Sequence, residues 1–165
     1  MKRLVADTGP LIHLHEAGAL HLLSLIGSVT LPPIVREELR LHAPALPAAP
    51  PPELRVETLS PSAHERASAW QQAGLLHRGE AEALALAVAT KPDWFLTDDA
   101  AARLMAEALG IETHGSLGIV LWAAANKLVM PTEAEVLLAG LEKSSLWMSP
   151  RVRAAARSAL KQMHR

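Results

Sequence analysis

The first 31 residues, MKRLVADTGPLIHLHEAGALHLLSLIGSVTL (Met1–Leu31), decide the fold class. Arg3-Leu4-Val5-Ala6-Asp7 is a short β-type run closed by a carboxylate. Two helical patterns follow, Pro10–Ala17 and Ala19–Ile26, parted by Gly18 and stopped by Gly27. Val29-Thr30-Leu31 reads as a second brief strand, and Pro32-Pro33 ends it because proline brings no backbone donor to a ladder. A strand, a helical crossover and a second strand form the unit from which parallel sheets are built.

The alternation continues outward from there. Ile34–Leu41 is helical, with Pro33 suited to its first turn, and Leu54–Leu59 alternates like a strand. Ser60 is placed to cap a helix that runs from Pro61 to near Gly74. Glu80–Thr90 is a strongly apolar helix, Trp94–Thr97 a strand, and Ala100–Leu109 a helix closed by Gly110. Ile111–Thr113 gives a last short strand, before helices at Leu117–Leu128, Thr132–Glu142 and Pro150–Met163. His42–Glu53, with Pro44, Pro47 and Pro50-Pro51-Pro52, suits only an extended surface loop. The expectation is an α/β domain with a central parallel sheet and helices on both faces. In such a sheet, ligands bind at the carboxyl ends of the strands.

Composition narrows the class. A chain of 165 residues, half of them hydrophobic, suits one domain with a real core. Cysteine is absent, which excludes a disulfide scaffold, thiolate metal sites and cysteine nucleophiles. Every apolar stretch is interrupted by polar residues and the N-terminus lacks a cleavage signal, so a cytoplasmic chain without membrane contact is expected. Four Trp, one Phe and no Tyr argue against a surface built on stacked aromatic platforms. The net charge of −1 is unevenly spread: Lys143–Arg165 carries six basic residues and no acidic one. Such a tail suits a polyanion or an acidic partner, and it equally suits a solvated amphipathic helix.

The acidic positions carry the chemistry. Asp7 closes the first strand and Asp98-Asp99 closes the Trp94 strand, so all three stand at the carboxyl edge. Asp7 and one of the pair are also placed to cap helices, which leaves the other aspartate unexplained. At about 100° per residue from Ile34, Glu38 falls at about 40°, between Ile34 and Val35 and inside the apolar stripe that ends at Leu39, whereas Glu37 falls outside it. A core-facing carboxylate needs an arginine, a proton or a metal. Gly79-Glu80-Ala81-Glu82-Ala83-Leu84 opens the apolar helix; its glutamates lie about 200° apart, and periodicity does not choose between them. The histidines show no zinc-ligand spacing, and His13-x-His15 reads as surface or half-buried. No nucleophile elbow, phosphate-binding loop or dinucleotide fingerprint is present.

Four blocks in order resemble the PIN-domain nucleases: Val5-Ala6-Asp7-Thr8-Gly9-Pro10-Leu11-Ile12, Leu31-Pro32-Pro33-Ile34-Val35-Arg36-Glu37-Glu38-Leu39, Gly79-Glu80-Ala81-Glu82-Ala83-Leu84 and Leu96-Thr97-Asp98-Asp99. They are most similar to a prokaryotic subgroup with Gly-Glu-x-Glu-Ala and Asp-Asp motifs, related to the VapC toxins of toxin–antitoxin pairs. The resemblance implies a Rossmann-like PIN domain over about residues 1–130, with residues 131–165 a helical extension packed on it. It implies one or two Mg²⁺ or Mn²⁺ ions among Asp7, Glu38, Glu82 and Asp99, with Asp98 an auxiliary ligand or a cap and Glu80 the alternative to Glu82. Most of the family has aspartate where Glu82 stands. Thr8 matches a hydroxyl residue that supports the first aspartate, and Thr97 precedes the Asp pair in the fourth block.

Such a set suits phosphodiester hydrolysis. Hard divalent cations prefer oxygen ligands, lower the pKa of water and stabilise a leaving oxygen. The expected activity is an endoribonuclease, the toxin of a pair, with RNA as substrate and a cognate antitoxin or a second copy as protein partner. Arg103, Arg153 and Arg157 are the candidate RNA contacts, Arg103 being equally suited to brace a carboxylate. Arg153, Arg157 and Lys161 form one helical ridge, with Leu160, Met163 and Val152 expected to face the body. Two alternatives stand beside this reading. One is a PIN domain that processes or binds RNA with little cleavage. The other is a receiver-like Mg²⁺ domain, which needs its Asp pair on the first strand, where this chain has one Asp.

Overall fold

The computed structural model describes residues 1–46 and 52–165. The heart of the proline-rich segment, where an extended loop is expected, lies outside the described residues. The described residues form one five-stranded, wholly parallel sheet in the order β3-β2-β1-β4-β5. The strands are β1 (Lys2–Ala6), β2 (Gly27–Leu31), β3 (Leu54–Val56), β4 (Trp94–Leu96) and β5 (Thr113–His114). The helices are α1 (Thr8–Glu16), α2 (Leu22–Ile26), α3 (Pro33–His42), α4 (Pro61–Gln72), α5 (Arg78–Thr90), α6 (Ala100–Ala108), α7 (Ser116–Ala125), α8 (Pro131–Lys143) and α9 (Pro150–Met163).

The central strand β1 pairs Leu4 with both Val29 of β2 and Trp94 of β4. From β1 the chain moves outward to β2 and β3, then returns across the sheet to β4 and β5. The order therefore reverses between β1 and β4, and their carboxyl ends flank a crevice of the kind in which open α/β sheets bind ligands. Asp7 and Thr97 are the residues that follow β1 and β4, both buried beneath it. The backbone N–H of Asp7 still donates to Leu96 O at 2.9 Å, so the two ends are locked in register.

The helices cover the sheet in two groups. α1 and α2 pack with α7, and α8 and α9 pack on α7 and on each other; α4 lies on α5, which crosses β1 and touches α6. α3 bridges the groups, meeting both α1 and α5. Leu137, Leu138, Leu141, Ala156 and Leu160 of α8 and α9 belong to the same buried cluster as Leu4, Leu84 and Phe95. Among the described residues no helix is long and apolar enough to cross a membrane.

Several boundaries differ from the sequence reading, each for a physical reason. Gly27, expected to stop a helix, opens β2: a Cβ there would fall 1.9 Å from Lys2 O, so only glycine lets β1 and β2 approach at that point. The Ala19–Ile26 helix shortens to Leu22–Ile26, and the Leu54 strand ends at Val56. α1 starts at Thr8 rather than Pro10, because Asp7 caps it. On α9, Ala156 and Leu160 face the core, while Val152 and Met163 are 42% and 41% exposed. The small Ala156 lets α9 sit close, and the helix turns toward Glu142, which binds Arg157 through both carboxylate oxygens.

Candidate active site

Four segments deliver carboxylates to a cleft of about 440 Å³ at the switch point. Asp7 comes from the end of β1, Glu38 from α3, Glu80 from the first turn of α5, and Asp98 and Asp99 from the end of β4. Thr8, Gly9, His13, His77 and Gly79 complete the floor and walls, and Leu146 and Trp147 lie along the lining.

Asp7 is 5% exposed. Its Oδ1 accepts the Thr8 N–H at 2.7 Å, capping α1, and its Oδ2 accepts the Thr97 hydroxyl at 3.1 Å. Burial pushes its pKa from an ordinary 3.8 up to about 7; the charges of Glu80 and Glu38 add to the rise, and the two hydrogen bonds only partly oppose it. Fully buried Thr97 also accepts the Asp99 N–H at 3.1 Å, so one hydroxyl ties the two strand ends together.

Glu38 projects from the inward side of α3 and accepts the Thr8 hydroxyl. Its carboxylate lies against the start of α5, where Gly79 makes room: a Cβ on Gly79 would fall 2.6 Å from Glu38 Oε1 and 2.7 Å from Oε2. Exposed Glu37 pairs with Arg40 instead.

Glu80 and Glu82 part company, as their angular separation requires. Glu80 lines the cleft, and its Oε2 is buried with no hydrogen-bond partner among the described residues. Burial raises its pKa, with the charge of Asp99 adding to the effect. Glu82 is buried outside the cleft lining, with Arg78 Nε at 3.0 Å.

The two aspartates after β4 divide their roles. Asp99 caps α6, its Oδ2 accepting the Ala102 N–H at 2.8 Å. Asp98 accepts the Ser116 N–H at 2.7 Å on Oδ1, and on Oδ2 both the Ser116 hydroxyl at 2.6 Å and His13 Nδ1 at 2.7 Å. Burial works against the Asp98 charge, yet the His13 and Ser116 hydrogen bonds together outweigh it and hold the carboxyl below its usual range. The aspartate left over by the capping argument is thus accounted for by partners from α1 and α7. Its approach to α7 needs Gly115, where a Cβ would fall 2.6 Å from Asp98 Oδ1.

The three arginines singled out in the sequence lie elsewhere. Arg103 donates to Thr97 O at 3.3 Å beside Gly115 and does not line the cleft. Arg153 donates to Met148 O at 3.3 Å, and Arg157 binds Glu142, so both fasten α9 to the body. His13, His77, Ser116 and Trp147 were not assigned to the site from sequence. For His13 a signal exists: it stands four residues after Gly9 on α1, on the same face, and its Cε1 lies 3.7 Å from where a Gly9 Cβ would sit.

The donors in the cleft are mostly carboxylate oxygens, the ligands that hard divalent cations take, and the unpartnered Glu80 Oε2 is a buried acceptor that such an ion would satisfy. The set fits Mg²⁺ or Mn²⁺ chemically. Among the described residues no three His, Asp or Glu side chains are already gathered into a metal cluster, so coordination would require side-chain rotation within the cleft.

A parallel sheet with an acidic cleft at its switch point is the architecture that several classes of Mg²⁺-binding α/β domain share, and the family match decides among them. The chain matches the model of a PIN-domain family, DUF3368, over residues 3–162, and it belongs to that family. The match runs through α8 and α9 as well as the sheet. No curated protein matches the chain.

Proposed function

We propose that the chain is a divalent-metal-dependent endoribonuclease whose ion, Mg²⁺ or Mn²⁺, is held by Asp7, Glu38, Glu80 and Asp99. One observation carries the proposal: five carboxylates from four separate segments line one cleft, and Glu80 keeps a buried oxygen that no group among the described residues satisfies. Like charges gathered this way are costly to bury unless a cation compensates them. Glu80 thereby replaces Glu82 as the third ligand, since Glu82 is paired with Arg78 away from the cleft.

When bound, the ion supplies an activated water and charge stabilisation at the leaving oxygen, and its own charge lets an acidic cleft receive a phosphate. The chain's part is to hold the donors in place. Thr97 fixes Asp7 Oδ2 and the Asp99 backbone in one register, and Thr8 holds Glu38. His13 and Ser116 immobilise Asp98, which braces the end of β4 against α1 and α7 and leaves Asp99 as the aspartate of the pair that lines the cleft without them.

RNA as substrate, and a role as a toxin restrained by a cognate antitoxin, rest on the likeness of the four motif blocks to the VapC-related subgroup. The test is cleavage of a single-stranded RNA with Mg²⁺ or Mn²⁺. Cleavage is expected to stop with EDTA and in Asp7→Asn and Glu80→Gln, and to persist in Glu82→Gln. Cleavage that survives both EDTA and Asp7→Asn would refute the proposal. Expression alone and beside its neighbouring gene tests the toxin role: growth arrest relieved by that gene is the expected outcome.

A further inference from the structure

Of the four tryptophans, Trp94 is buried and Trp70 and Trp122 are packed against the core, but Trp147 is 82% exposed. An indole is a large apolar surface to leave in water, and single exposed apolar residues are otherwise unremarkable on a protein surface. The surroundings of this one set it apart. Trp147 lies between α8 and α9 and lines the acidic cleft. Its neighbours are fixed on both sides. The Ser145 hydroxyl donates to Glu16 of α1, Leu146 packs against the core, Met148 is buried, and the Ser149 hydroxyl caps α9 by accepting the Val152 N–H at 3.2 Å. The indole is the one large apolar side chain of the segment turned outward, on a backbone already held in place, so presenting it costs no further ordering of the segment.

The cleft is otherwise lined by carboxylates, hydroxyls, imidazoles and glycines; among the described residues Leu146 and Trp147 are its two apolar side chains. A ligand that matches this lining carries an anion for the metal end and a flat aromatic ring for the rim. A nucleotide unit of a strand has both. We propose that Trp147 is a base-stacking site, on which the base of a nucleotide next to the cleaved phosphate stacks. This rests on the nuclease reading above and adds to it a binding residue and a requirement. The stacked base must be unpaired, because a base inside a duplex has both faces covered. The contact is indifferent to base identity, because every base offers a π-face.

The test uses the whole chain with Mn²⁺ and a short single-stranded RNA, in single-turnover kinetics. Trp147→Ala is expected to raise the half-saturating RNA concentration about 5- to 100-fold with the maximal rate little changed, as loss of one stacked base would. Trp147→Phe is expected to recover most of that loss. Unfolding midpoints of both variants are expected to match wild type, since the side chain is exposed. A scan with one abasic nucleotide at each position supplies the second readout. In wild type, one position is expected to weaken binding by a similar factor; in Trp147→Ala the same abasic site is expected to add nothing.

If wild type cleaves while Trp147→Ala saturates at the same concentration, or if every abasic penalty persists in the variant, the stacking site is refuted and the nuclease reading stands. The same holds if Trp147→Ala changes only self-association or binding of a protein partner. If wild type neither binds nor cleaves RNA, the nuclease reading fails and the stacking site falls with it.

Discussion

Asp7→Asn is expected to stabilise the metal-free protein at alkaline pH. A carboxyl whose pKa is higher folded than unfolded binds its proton more tightly in the folded state, so stability falls as pH rises through the interval between the two values. For Asp7 that interval runs from 3.8 to about 7. At about 1.4 kcal/mol per pH unit, the full loss above pH 7 is about 4 kcal/mol. Asparagine removes the charge and keeps an oxygen acceptor for the Thr8 N–H, while its amide N–H donates to Thr97 Oγ1, which turns its own proton away. Replacing a charge-assisted hydrogen bond by a neutral one costs about 1 kcal/mol. The net gain at pH 8 is then about 3 kcal/mol, or about 6–12 °C in Tm for a chain of this size. At pH 5, about 1.2 pH units above the unfolded value, wild type has lost only about 1.6 kcal/mol, so the net gain of the variant shrinks to roughly 0.6 kcal/mol.

The assay is thermal or urea unfolding of both proteins in EDTA at pH 5, 6.5 and 8. Comparing the two proteins cancels the carboxyls that do not act on Asp7, which leaves out Glu80 and Glu38, whose charges raise Asp7. Asp98, Glu37 and Glu142 are all held below their ordinary values, on the acid side of this window. Excess Mg²⁺ is expected to reverse the order at pH 8: wild type gains about 2.7 kcal/mol at a hundredfold excess over Kd, and the variant gains little. An asparagine effect that is the same at pH 5 and pH 8, or a variant less stable than wild type at pH 8 in chelator, would refute the reasoning.

Glu80→Gln is also expected to stabilise the metal-free fold above neutrality and to lose metal-dependent cleavage, whereas Glu82→Gln should retain cleavage and lose only its tie to Arg78; unfolding and rate measurements on the same samples separate them. Gly79→Ala places a methyl 2.6 Å from Glu38 Oε1, so at least a tenfold loss of cleavage is expected with the fold intact, since alanine favours the helix by up to about 1 kcal/mol over glycine. His13→Ala removes one of three hydrogen bonds that hold Asp98; cleavage should fall and thermal stability should drop by the worth of a charged hydrogen bond, about 1.5–3 kcal/mol. Arg157→Glu sets two acidic groups together where α9 meets α8, and should increase limited proteolysis of the C-terminal helix.

Much of the framework was legible because local chemistry and tertiary structure agree. The alternation of strands and helices gives the parallel sheet, and the helical wheel separates inward Glu38 from Glu37, which stands in solvent with Arg40. Ser60 caps α4, and Gly110 leaves α6 with φ near +76°, a backbone conformation that glycine adopts freely. Which of Glu80 and Glu82 lines the cleft was not legible. Residues 81–87 of α5 are all buried, so no stripe marks its cleft side; the choice follows from where α3 and α6 lie against it. The Asp98–His13–Ser116 tie was equally hidden, because its members are 85 and 18 residues apart and meet only once α1 and α7 pack together. The contacts of the basic tail were not legible either: charge counts do not tell that Arg153 donates to Met148 O or that Arg157 pairs with Glu142.

The central claim is that the switch-point cleft holds a divalent cation on Asp7, Glu38, Glu80 and Asp99. Anomalous diffraction at the manganese edge, from crystals grown with Mn²⁺, tests it most directly. The account predicts a peak in the cleft within about 2.0–2.6 Å of Asp7 and Glu80 oxygens, with no density at Glu82 and no peak in Asp7→Asn crystals grown alike. A cleft without a peak at saturating Mn²⁺, or a peak coordinated by Glu82 in place of Glu80, would contradict it.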